Sequence, residues 1–281
     1  MKGPLVEASL RARVLAQRAR RSLKLTLEKH RLWVALGWSA FPFVIHEAKG
    51  TGKLFKCRLG GEQLWVRAGT TDFVVAWANL CGDEFRPVPR NLSSKRPTLI
   101  IDAGAYIGSS SLALARVFPG VRVLALEPHP ANFEVLELNV ASSRAVTPIN
   151  AALTDSVGTA QLRDQGQGEY GYSIVSDSTS CEQEWSVPTV SISSLLEEFD
   201  AERVLILKLD IEGAEVQVLE AGSSSLTQVD CVVAELHDFL DSRCTDTFLA
   251  AIAEMRLLTL GSEKAIAVRA EALDAAAHRG N

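Results

Sequence analysis

Acidic side chains and one histidine stand where several apolar runs of this chain end. A buried carboxylate without a partner is costly, so groups in such places usually bind a ligand, a metal ion or a neighbouring charge. Histidine adds a general base that works near neutral pH. These residue types predict a site that binds a polar ligand and moves a proton. The residues concerned are Asp102, Glu127, Asn150, Asp210, Glu212, Glu235 and His237.

A glycine-containing turn begins at Asp102, where the first of these apolar runs ends. It reads Asp-Ala-Gly-Ala-Tyr-Ile-Gly and leads into a helix predicted from about Ser109. Gly104 and Gly108 let the backbone turn tightly and approach a ligand closely. A helix N-terminus can accept an anion such as the carboxylate of methionine. The dinucleotide fingerprint G-x-G-x-x-G is absent. The turn therefore predicts an adenosyl ligand without a pyrophosphate.

Glu127 ends the next apolar run, which begins at Val121, and it precedes Pro128. An acid at the end of the second strand of such a unit can accept hydrogen bonds from both ribose hydroxyls. The alternative is a solvated charge at a strand end, which the preceding glycine turn disfavours. Together, the turn and Glu127 predict S-adenosylmethionine as the cofactor, and therefore methyl transfer.

A second set of polar residues is predicted to face the methyl acceptor. Asp210 could orient an acceptor hydroxyl, act as the base, or help to hold a divalent cation that lowers the pKa of that hydroxyl. Alternation along a strand places Glu235 and His237 on the same side, so these three residues form a candidate metal site. Glu212 is a further candidate, although it and Glu215 could equally be acids that complement a helix dipole. That second interpretation fits Glu215 best.

Alternating strands and helices are predicted from residue 98 onward. The strands are near-continuous apolar runs, typical of parallel strands covered on both faces, and they indicate an open, doubly wound α/β sheet. Polar residues and glycines at 154–190 interrupt the alternation, as expected of an insertion that shapes a substrate mouth. Two last short strands are predicted within 257–269. The predicted parallel strands are Thr98–Asp102, Val121–Glu127, Val146–Ala151, Val204–Asp210 and Val229–Glu235.

The segment that precedes this pattern is basic and then apolar. Residues 5–31 show the pattern of a basic amphipathic helix. The apolar run from Leu32 to Ile45 is too short to span a bilayer, which needs about 20 residues, and Pro42 is expected to disturb a helix there. The run either packs on the main domain or contacts anionic lipid or a hydrophobic partner. The next predicted elements are a hairpin of strands at 53–58 and 63–68, a helix at 71–80 and a proline-rich linker at 83–97.

Composition narrows the class of protein. The chain has 281 residues, 47% of them hydrophobic, which is enough for a sizeable core. Its net charge of −5 argues against a nucleic-acid partner, yet residues 1–31 carry nine Lys/Arg and two Glu, a net charge of +7 against −12 for the remainder. Five cysteines without metal-ligand spacing, and no apparent secretory signal, predict a cytoplasmic location. The predicted units are an N-terminal extension over 1–97, a cofactor-binding domain over 98–269 and a tail over 270–281.

These motifs together resemble the FkbM family of S-adenosylmethionine-dependent methyltransferases. The most specific block is Lys-Leu-Asp-Ile-Glu-Gly-Ala-Glu at 208–215. One departure concerns Tyr106, because the family often has asparagine at that position, so contacts on the methionine side can differ. The other matching blocks are 102–108, Glu127–Phe133 with Leu138 and Asn139, 150–153, 235–237 and, upstream, Val66–Asp72.

The resemblance implies a Rossmann-like sheet of seven strands with the last one antiparallel. It also implies methyl transfer to a hydroxyl oxygen, commonly of a sugar, glycan, lipid or polyketide-type product. Single residues take implied roles as follows: Asp102, Gly104, Tyr106 and Gly108 around the methionyl part, Glu127 on the ribose, Asn150 and Ala151 beside the adenine, and Asp210, Glu212, Glu235 and His237 toward the acceptor, directly or through a metal ion.

Two other classes of function stay open. A nicotinamide-dependent oxidoreductase uses the same fold class, although the missing dinucleotide fingerprint disfavours it. A non-catalytic module that binds a membrane or an assembly would use residues 1–45. The predicted partner is a small-molecule or glycan acceptor. Two further interactions stay open: peripheral membrane contact through residues 1–45 and a homo-oligomer.

Overall fold

The computed structural model describes residues 29–82, 84–92, 96–164, 172–174, 184–211, 214–221, 225–261 and 264–273. Most of the predicted basic helix at 5–31 lies outside the described residues, as do the candidate Glu212 and most of the predicted tail. Within the described part, a seven-stranded sheet carries the predicted site, and a smaller four-stranded sheet and a hairpin accompany it.

Strands and helices follow each other along the chain much as the apolar runs predict. The strands are β1 (Leu54–Leu59), β2 (Glu62–Arg67), β3 (Thr98–Ala103), β4 (Arg122–Leu126), β5 (Val146–Ile149), β6 (Ala152–Leu153), β7 (Gly158–Asp164), β8 (Tyr172–Ile174), β9 (Glu184–Val190), β10 (Arg203–Leu209), β11 (Cys231–Ala234), β12 (Arg256–Leu260) and β13 (Ala265–Val268). The α-helices are α1 (Lys29–Leu36), α2 (Ala40–Lys49), α3 (Asp72–Cys81), α4 (Ser109–Val117), α5 (Pro130–Val140), α6 (Ile192–Glu198), α7 (Glu215–Ala221) and α8 (Cys244–Ala251).

The central sheet has the strand order β12-β13-β11-β10-β3-β4-β5. Strands β11, β10, β3, β4 and β5 are parallel, whereas β13 runs antiparallel to both β11 and β12. This is the predicted doubly wound, Rossmann-like sheet of seven strands with the last one antiparallel. The near-continuous apolar character of its strands follows from burial on both faces.

Both faces of the sheet are covered. On one face, Ile100 and Val123 pack with α4, α5 and the N-terminal extension. On the other face, Leu99, Ile101 and Leu207 pack with α6, α7 and α8. The sheet therefore forms a rigid support whose polar groups can gather only at the strand ends.

The carboxyl ends of β3 and β10 form the point where the strand order reverses. The chain leaves β3 toward β4 and β5 on one side, and it returns to β10 and β11 on the other. Ligands of open α/β sheets bind in the crevice at such a point. Asp102 stands near the end of β3, Asp210 follows β10 directly, and Glu235 follows β11. One edge of the sheet thus collects the predicted site residues.

The N-terminal extension packs on the sheet domain through α1, α2, the β1–β2 hairpin and α3. Phe43 of α2 is fully buried against Phe55 and Phe73, with ring centroids 5.4 and 5.9 Å apart. Burial of such a side chain contributes about 1.5–3 kcal/mol. Among the described residues, no helix is long and apolar enough to cross a membrane.

Pro42 does not break the helix, contrary to the expectation from sequence. A short 3₁₀ turn, Gly37–Ser39, separates α1 from α2, and Pro42 is the third residue of α2. The first turn of a helix has no preceding carbonyls to receive its N–H groups, so proline loses no hydrogen bond there. The break falls instead at Gly37, whose φ is +54°.

The insertion at 154–190 contributes to a second sheet with the order β6-β9-β7-β8. Strand β7 pairs antiparallel with both β8 and β9. The sequence predicts an insertion here, and its role in shaping a substrate mouth stays a prediction.

Candidate active site at the strand ends

Asp102 and Lys208 form a buried ion pair between neighbouring strands. The two residues lie side by side in the β3–β10 register, with Nζ of Lys208 3.0 Å from Oδ1 of Asp102. The hydroxyls of Ser110 and Ser111 donate to the other carboxylate oxygen at 2.6 Å. Asp102 is thus occupied within the protein, where it holds the start of α4 against the sheet.

Lys208 also contacts the glycine turn and Asp210. Its ammonium donates to the carbonyl of Gly104 at 3.2 Å and lies 3.4 Å from Oδ2 of Asp210. Burial alone would lower the pKa of this lysine, but Asp102 and Asp210 outweigh burial and raise it. Lys208 therefore stays charged and joins the glycine turn to Asp210. Sequence reasoning did not select it as a site residue, although a lysine inside an apolar strand was the available signal.

Gly104 is required by a contact between two backbone segments. Its φ is +75°, and a Cβ at this position would lie 1.8 Å from the carbonyl oxygen of Asp210. Gly108, with φ +83°, precedes α4, and a Cβ there would lie 3.1 Å from Val140 of α5. Both glycines are needed for the turn. Gly104 is needed because the backbone of the turn approaches the end of β10, and not because a ligand needs the space.

Tyr106 occupies the left-handed region inside this turn, with φ +54°. Non-glycine residues in that region cost roughly 1–2 kcal/mol, so other contacts must hold it there. Its hydroxyl lies 3.2 Å from the hydroxyl of Thr71, and the guanidinium of Arg67 lies 5.6 Å from the centre of its ring. Burial raises the pKa of Tyr106 well above its ordinary value. The side chain thus packs against the N-terminal extension as a neutral phenol.

Glu127 is buried and linked to the turn. One carboxylate oxygen accepts the N–H of Tyr106 at 2.9 Å, and the other accepts the N–H of His129 at 2.9 Å and the amide of Asn132 at 3.4 Å. Burial raises the pKa of Glu127 to about 7, although these hydrogen bonds oppose the shift. The carboxylate is therefore poised to change its charge near neutral pH.

Asn150 and Ala151 support Glu127 from the next strand. The amide of Asn150 donates to the carbonyls of Glu127 at 2.8 Å and Pro128 at 3.2 Å. Ala151 is buried, and its N–H donates to the carbonyl of Ile149. Asn150 thus fixes the backbone where β4 ends, and Ala151 contacts the end of β5.

Arg67 and Asp72 form a second buried ion pair that sequence reasoning left out of the site. Nε and Nη2 of Arg67 each donate to one oxygen of Asp72 at 2.9 Å, and Asp72 is fully buried. The guanidinium also donates to the side chain of Asn132 at 2.9 Å. The pair links the extension to Tyr106 and to the helix after Glu127. The sequence signal for this pair is the segment Val66–Asp72, which resembles a motif of the family upstream of the sheet.

Substitution of Arg67 by lysine tests this link. Lysine cannot make the two-pronged contact with Asp72, and a hydrogen bond to a charged group contributes about 1.5–3 kcal/mol. We expect Arg67→Lys to lower the free energy of unfolding by about 2 kcal/mol in urea denaturation. Arg58 is exposed on β1, so Arg58→Lys should change stability by less than about 0.5 kcal/mol. Equal effects of the two substitutions would contradict a structural role for the buried pair.

His237, which follows β11, is held in place by a buried carboxylate. Nδ1 of His237 lies 2.8 Å from Oε1 of Glu215, and both side chains are buried. Nε2 lies 3.9 Å from Oδ1 of Asp210 and 3.9 Å from Oε1 of Glu235. Ligand atoms of these last three residues lie within 4.8 Å of one another. The histidine thus presents one nitrogen to an acidic pocket while the other is anchored.

Glu235 and Glu215 differ in their surroundings. Burial, followed by the nearby charge of Asp210, raises the pKa of Glu235 to about 7. Glu215 begins α7 as the helix-dipole interpretation requires, but it is fully buried and also accepts the N–H of Ile211 at 3.1 Å. The dipole role therefore explains only part of Glu215, because its main side-chain contact is with His237.

The structure thus brings Asp210, Glu235 and His237 together beside the glycine turn, with Glu127 on the other side of that turn. The Methyltransferase FkbM domain family matches residues 102–262, which is more than half of the chain. Two relatives are each 28% identical. They are "Methyltransferase sdnD" of Sordaria araneosa, where the match covers 43% of this chain and 59% of the relative, and "Hexuronic acid methyltransferase AglP" of Haloferax volcanii, where it covers 50% and 57%.

The chain thus spans less than two thirds of the length of these relatives. A solved precorrin-6y C5,15-methyltransferase from Geobacter metallireducens GS-15 is 12% identical, with a TM-score of 0.38, over 68% of this chain and 89% of that one. On the family match over residues 102–262, this chain belongs to the FkbM methyltransferase family.

Proposed function

We propose that this protein is an S-adenosylmethionine-dependent O-methyltransferase that acts on a hydroxyl group of a sugar, glycan, lipid or polyketide-type product. The observation that carries the proposal is the Glu215–His237 pair, which directs Nε2 of His237 toward Asp210 and Glu235 beside the glycine turn. A base at the carboxyl edge of the sheet, next to a turn suited to an adenosyl ligand, is what hydroxyl methylation requires.

Glu127 is the residue proposed to bind the ribose. A carboxylate oxygen can accept two hydrogen bonds, and the oxygen bound to Tyr106 N–H uses one position for that contact. That oxygen can therefore accept one hydrogen bond from a ribose hydroxyl. Asn150 fixes the backbone beside it, and Asn150 and Ala151 are proposed to border the adenine. Gly104, Tyr106 and Gly108 shape the turn proposed to border the methionyl part, and Asp102 holds that turn through Ser110, Ser111 and Lys208. The cofactor supplies an electrophilic methyl group on a sulfonium.

His237 is the proposed base. Nε2 of His237 would take the proton of the acceptor hydroxyl, and the bound cofactor would supply the methyl group to that oxygen. Glu215 is a positioning residue that stabilises the resulting imidazolium. Asp210 and Glu235 accept hydrogen bonds from the molecule to be methylated and so orient it. Most of the acceleration of methyl transfer comes from such positioning.

A divalent cation is a second way to activate the same hydroxyl. Two carboxylates and one imidazole suit such an ion, and their ligand atoms lie within 4.8 Å of one another. The contact of His237 with Glu215 resembles the carboxylate–histidine arrangement that orients metal ligands. In this alternative Asp210, Glu235 and His237 hold the ion, and activity is lost in EDTA and returns with Mg²⁺ or Mn²⁺.

Methyl transfer to a panel of hydroxylated acceptors, with and without EDTA, tests the function. Because the relative AglP is a hexuronic acid methyltransferase, hexuronic acids are the first acceptors to assay. We expect methylation of at least one class and binding of S-adenosylhomocysteine in calorimetry. Absence of S-adenosylhomocysteine binding would contradict the proposal, and binding of NADH in its place would favour the oxidoreductase.

Substitution of Glu127 by glutamine tests the ribose contact. We expect the Kd for S-adenosylhomocysteine to rise about 10- to 100-fold, because a charge-assisted hydrogen bond contributes about 1.5–3 kcal/mol. Since the pKa of Glu127 is about 7, its ionised fraction grows from pH 6 to pH 8, and wild-type affinity should strengthen over that interval. Glu127→Gln should show no such trend.

The matched control is Glu137→Gln, because Glu137 is exposed on α5. This variant should bind like the wild type at every pH. An unchanged Kd in Glu127→Gln would remove the ribose role from Glu127.

A further inference from the structure

The outer surface of α1, the 3₁₀ turn Gly37–Ser39 and α2 exposes five large apolar side chains. Trp38 is 94% exposed, Val34 80% and Phe41 65%, and Val44 and Ile45 are also exposed. We call these five residues the apolar face. Such a cluster is unusual on the surface of a free soluble protein and marks a docking surface.

The apolar face runs across the junction between the two helices. Val34 lies in α1, Trp38 in the 3₁₀ turn, and Phe41, Val44 and Ile45 in α2. The opposite side of the same helices is buried in the core through Leu32, Ala35, Leu36, Ala40 and Phe43. Packing on the sheet domain therefore explains the buried side of these helices but not the apolar face, which stays exposed.

Charge separates the end of the chain that carries this face from the rest. Residues 29–71 contain seven Lys/Arg and two Glu, a net charge of +5, whereas residues 72–281 carry −15. Within the described part, four basic side chains are exposed at the end of α2 and in the segment and strand that follow it. They are Lys49, Lys53, Lys56 and Arg58. An anionic surface would attract this end of the molecule and repel the other, which fixes the orientation of approach.

We propose that the apolar face docks on an anionic lipid membrane. Tryptophan and phenylalanine insert at the boundary between headgroups and acyl chains, and lysine and arginine beside them contact the anionic headgroups. A symmetric pair of this chain through the same face would set two positively charged ends against each other, which disfavours a second copy as the occupant. The protein lies on the bilayer through two short helices.

The apolar face is connected to the cofactor side of the protein. The C-terminal end of α2 meets the loop after β2, where Glu47 accepts the N–H of Gly69 at 2.5 Å. A Cβ on Gly69 would lie 2.3 Å from Cα of Gly50, so the two segments touch. Gly69 lies between Arg67 and Asp72, the pair that supports Tyr106. Membrane docking is thus anchored to the wall of the proposed active site.

Vesicle co-sedimentation of the full chain tests the proposal. We expect binding to vesicles of phosphatidylcholine with phosphatidylglycerol, little binding to phosphatidylcholine alone, and loss of binding at about 0.5 M salt, where charges are screened. Trp38→Ser with Phe41→Ser should weaken binding about tenfold or more without changing the unfolding transition, because both side chains are exposed. S-adenosylhomocysteine affinity, measured in parallel, reports on the proposed function separately.

The matched control replaces Leu138 and Val157 by serine, since both are exposed apolar residues elsewhere on the molecule. That variant should bind vesicles like the wild type. Equal binding by the Trp38/Phe41 variant, or no binding of the wild type to anionic vesicles at low salt, would overturn the proposal. A dimer in light scattering that the same two substitutions dissolve would also overturn it, by assigning the face to a second copy.

Discussion

Substitution of His237 by alanine is expected to lower kcat for methyl transfer by about 10²- to 10⁴-fold, the range that a general base contributes. Nε2 of His237 faces Asp210 and Glu235, whereas Glu127 lies on the other side of the glycine turn. The Kd for S-adenosylhomocysteine should therefore stay within about twofold of the wild type, because binding does not depend on the base. Steady-state kinetics and calorimetry on the same preparations measure the two quantities.

His46 supplies the matched control. It lies in α2 and contacts the hydroxyl of Thr51 near the surface, so His46→Ala should keep kcat. A kcat for His237→Ala within about threefold of the wild type would show that this histidine is not the base.

Glu215 separates positioning from folding in the same experiment. Glu215→Gln keeps an oxygen that can accept from His237 and Ile211 but removes the charge that stabilises the imidazolium. We expect kcat to fall about tenfold with KM unchanged, a smaller loss than that of His237→Ala. A purely structural Glu215 would change the unfolding transition and leave the kcat of the folded enzyme unchanged.

Substitution of Gly104 by alanine is expected to lower the free energy of unfolding by about 4 kcal/mol and to abolish S-adenosylhomocysteine binding. The new Cβ would lie 1.8 Å from the carbonyl oxygen of Asp210, and φ is +75°. Backbone strain contributes about 1–2 kcal/mol, and overpacking against a carbonyl that cannot rotate away adds about 1–3 kcal/mol. Urea denaturation and calorimetry measure the two effects.

Gly120 isolates the backbone contribution. Its φ is +89°, but a Cβ there would meet no atom within 4 Å, so Gly120→Ala should cost only about 1–2 kcal/mol and keep ligand binding. If Gly104→Ala cost no more than Gly120→Ala, the close approach of the turn to β10 would be refuted.

The pattern of apolar residues was sufficient to predict the strands, but not to predict which distant residues contact each other. The apolar runs before Asp102 and Glu127 predicted β3 and β4 within a residue or two, because strands buried on both faces need continuous apolar side chains. The effect of Pro42 and the role of Glu215 were harder to predict. The effect of Pro42 depends on where the helix begins. The role of Glu215 depends on whether a histidine 22 residues away packs against it.

The amino-acid sequence by itself determined the doubly wound sheet and the strand ends at which polar residues collect, because burial acts on local patterns of apolar side chains. Only the tertiary structure decided which of those residues are partners. Lys208 neutralises Asp102, Arg67 pairs with Asp72 under Tyr106, and Glu215 anchors His237. The pairing of Lys208 with Asp102 depends on the β3–β10 register, and that of Glu215 with His237 on where the chain returns after β10, so spacing along the chain could not reveal either.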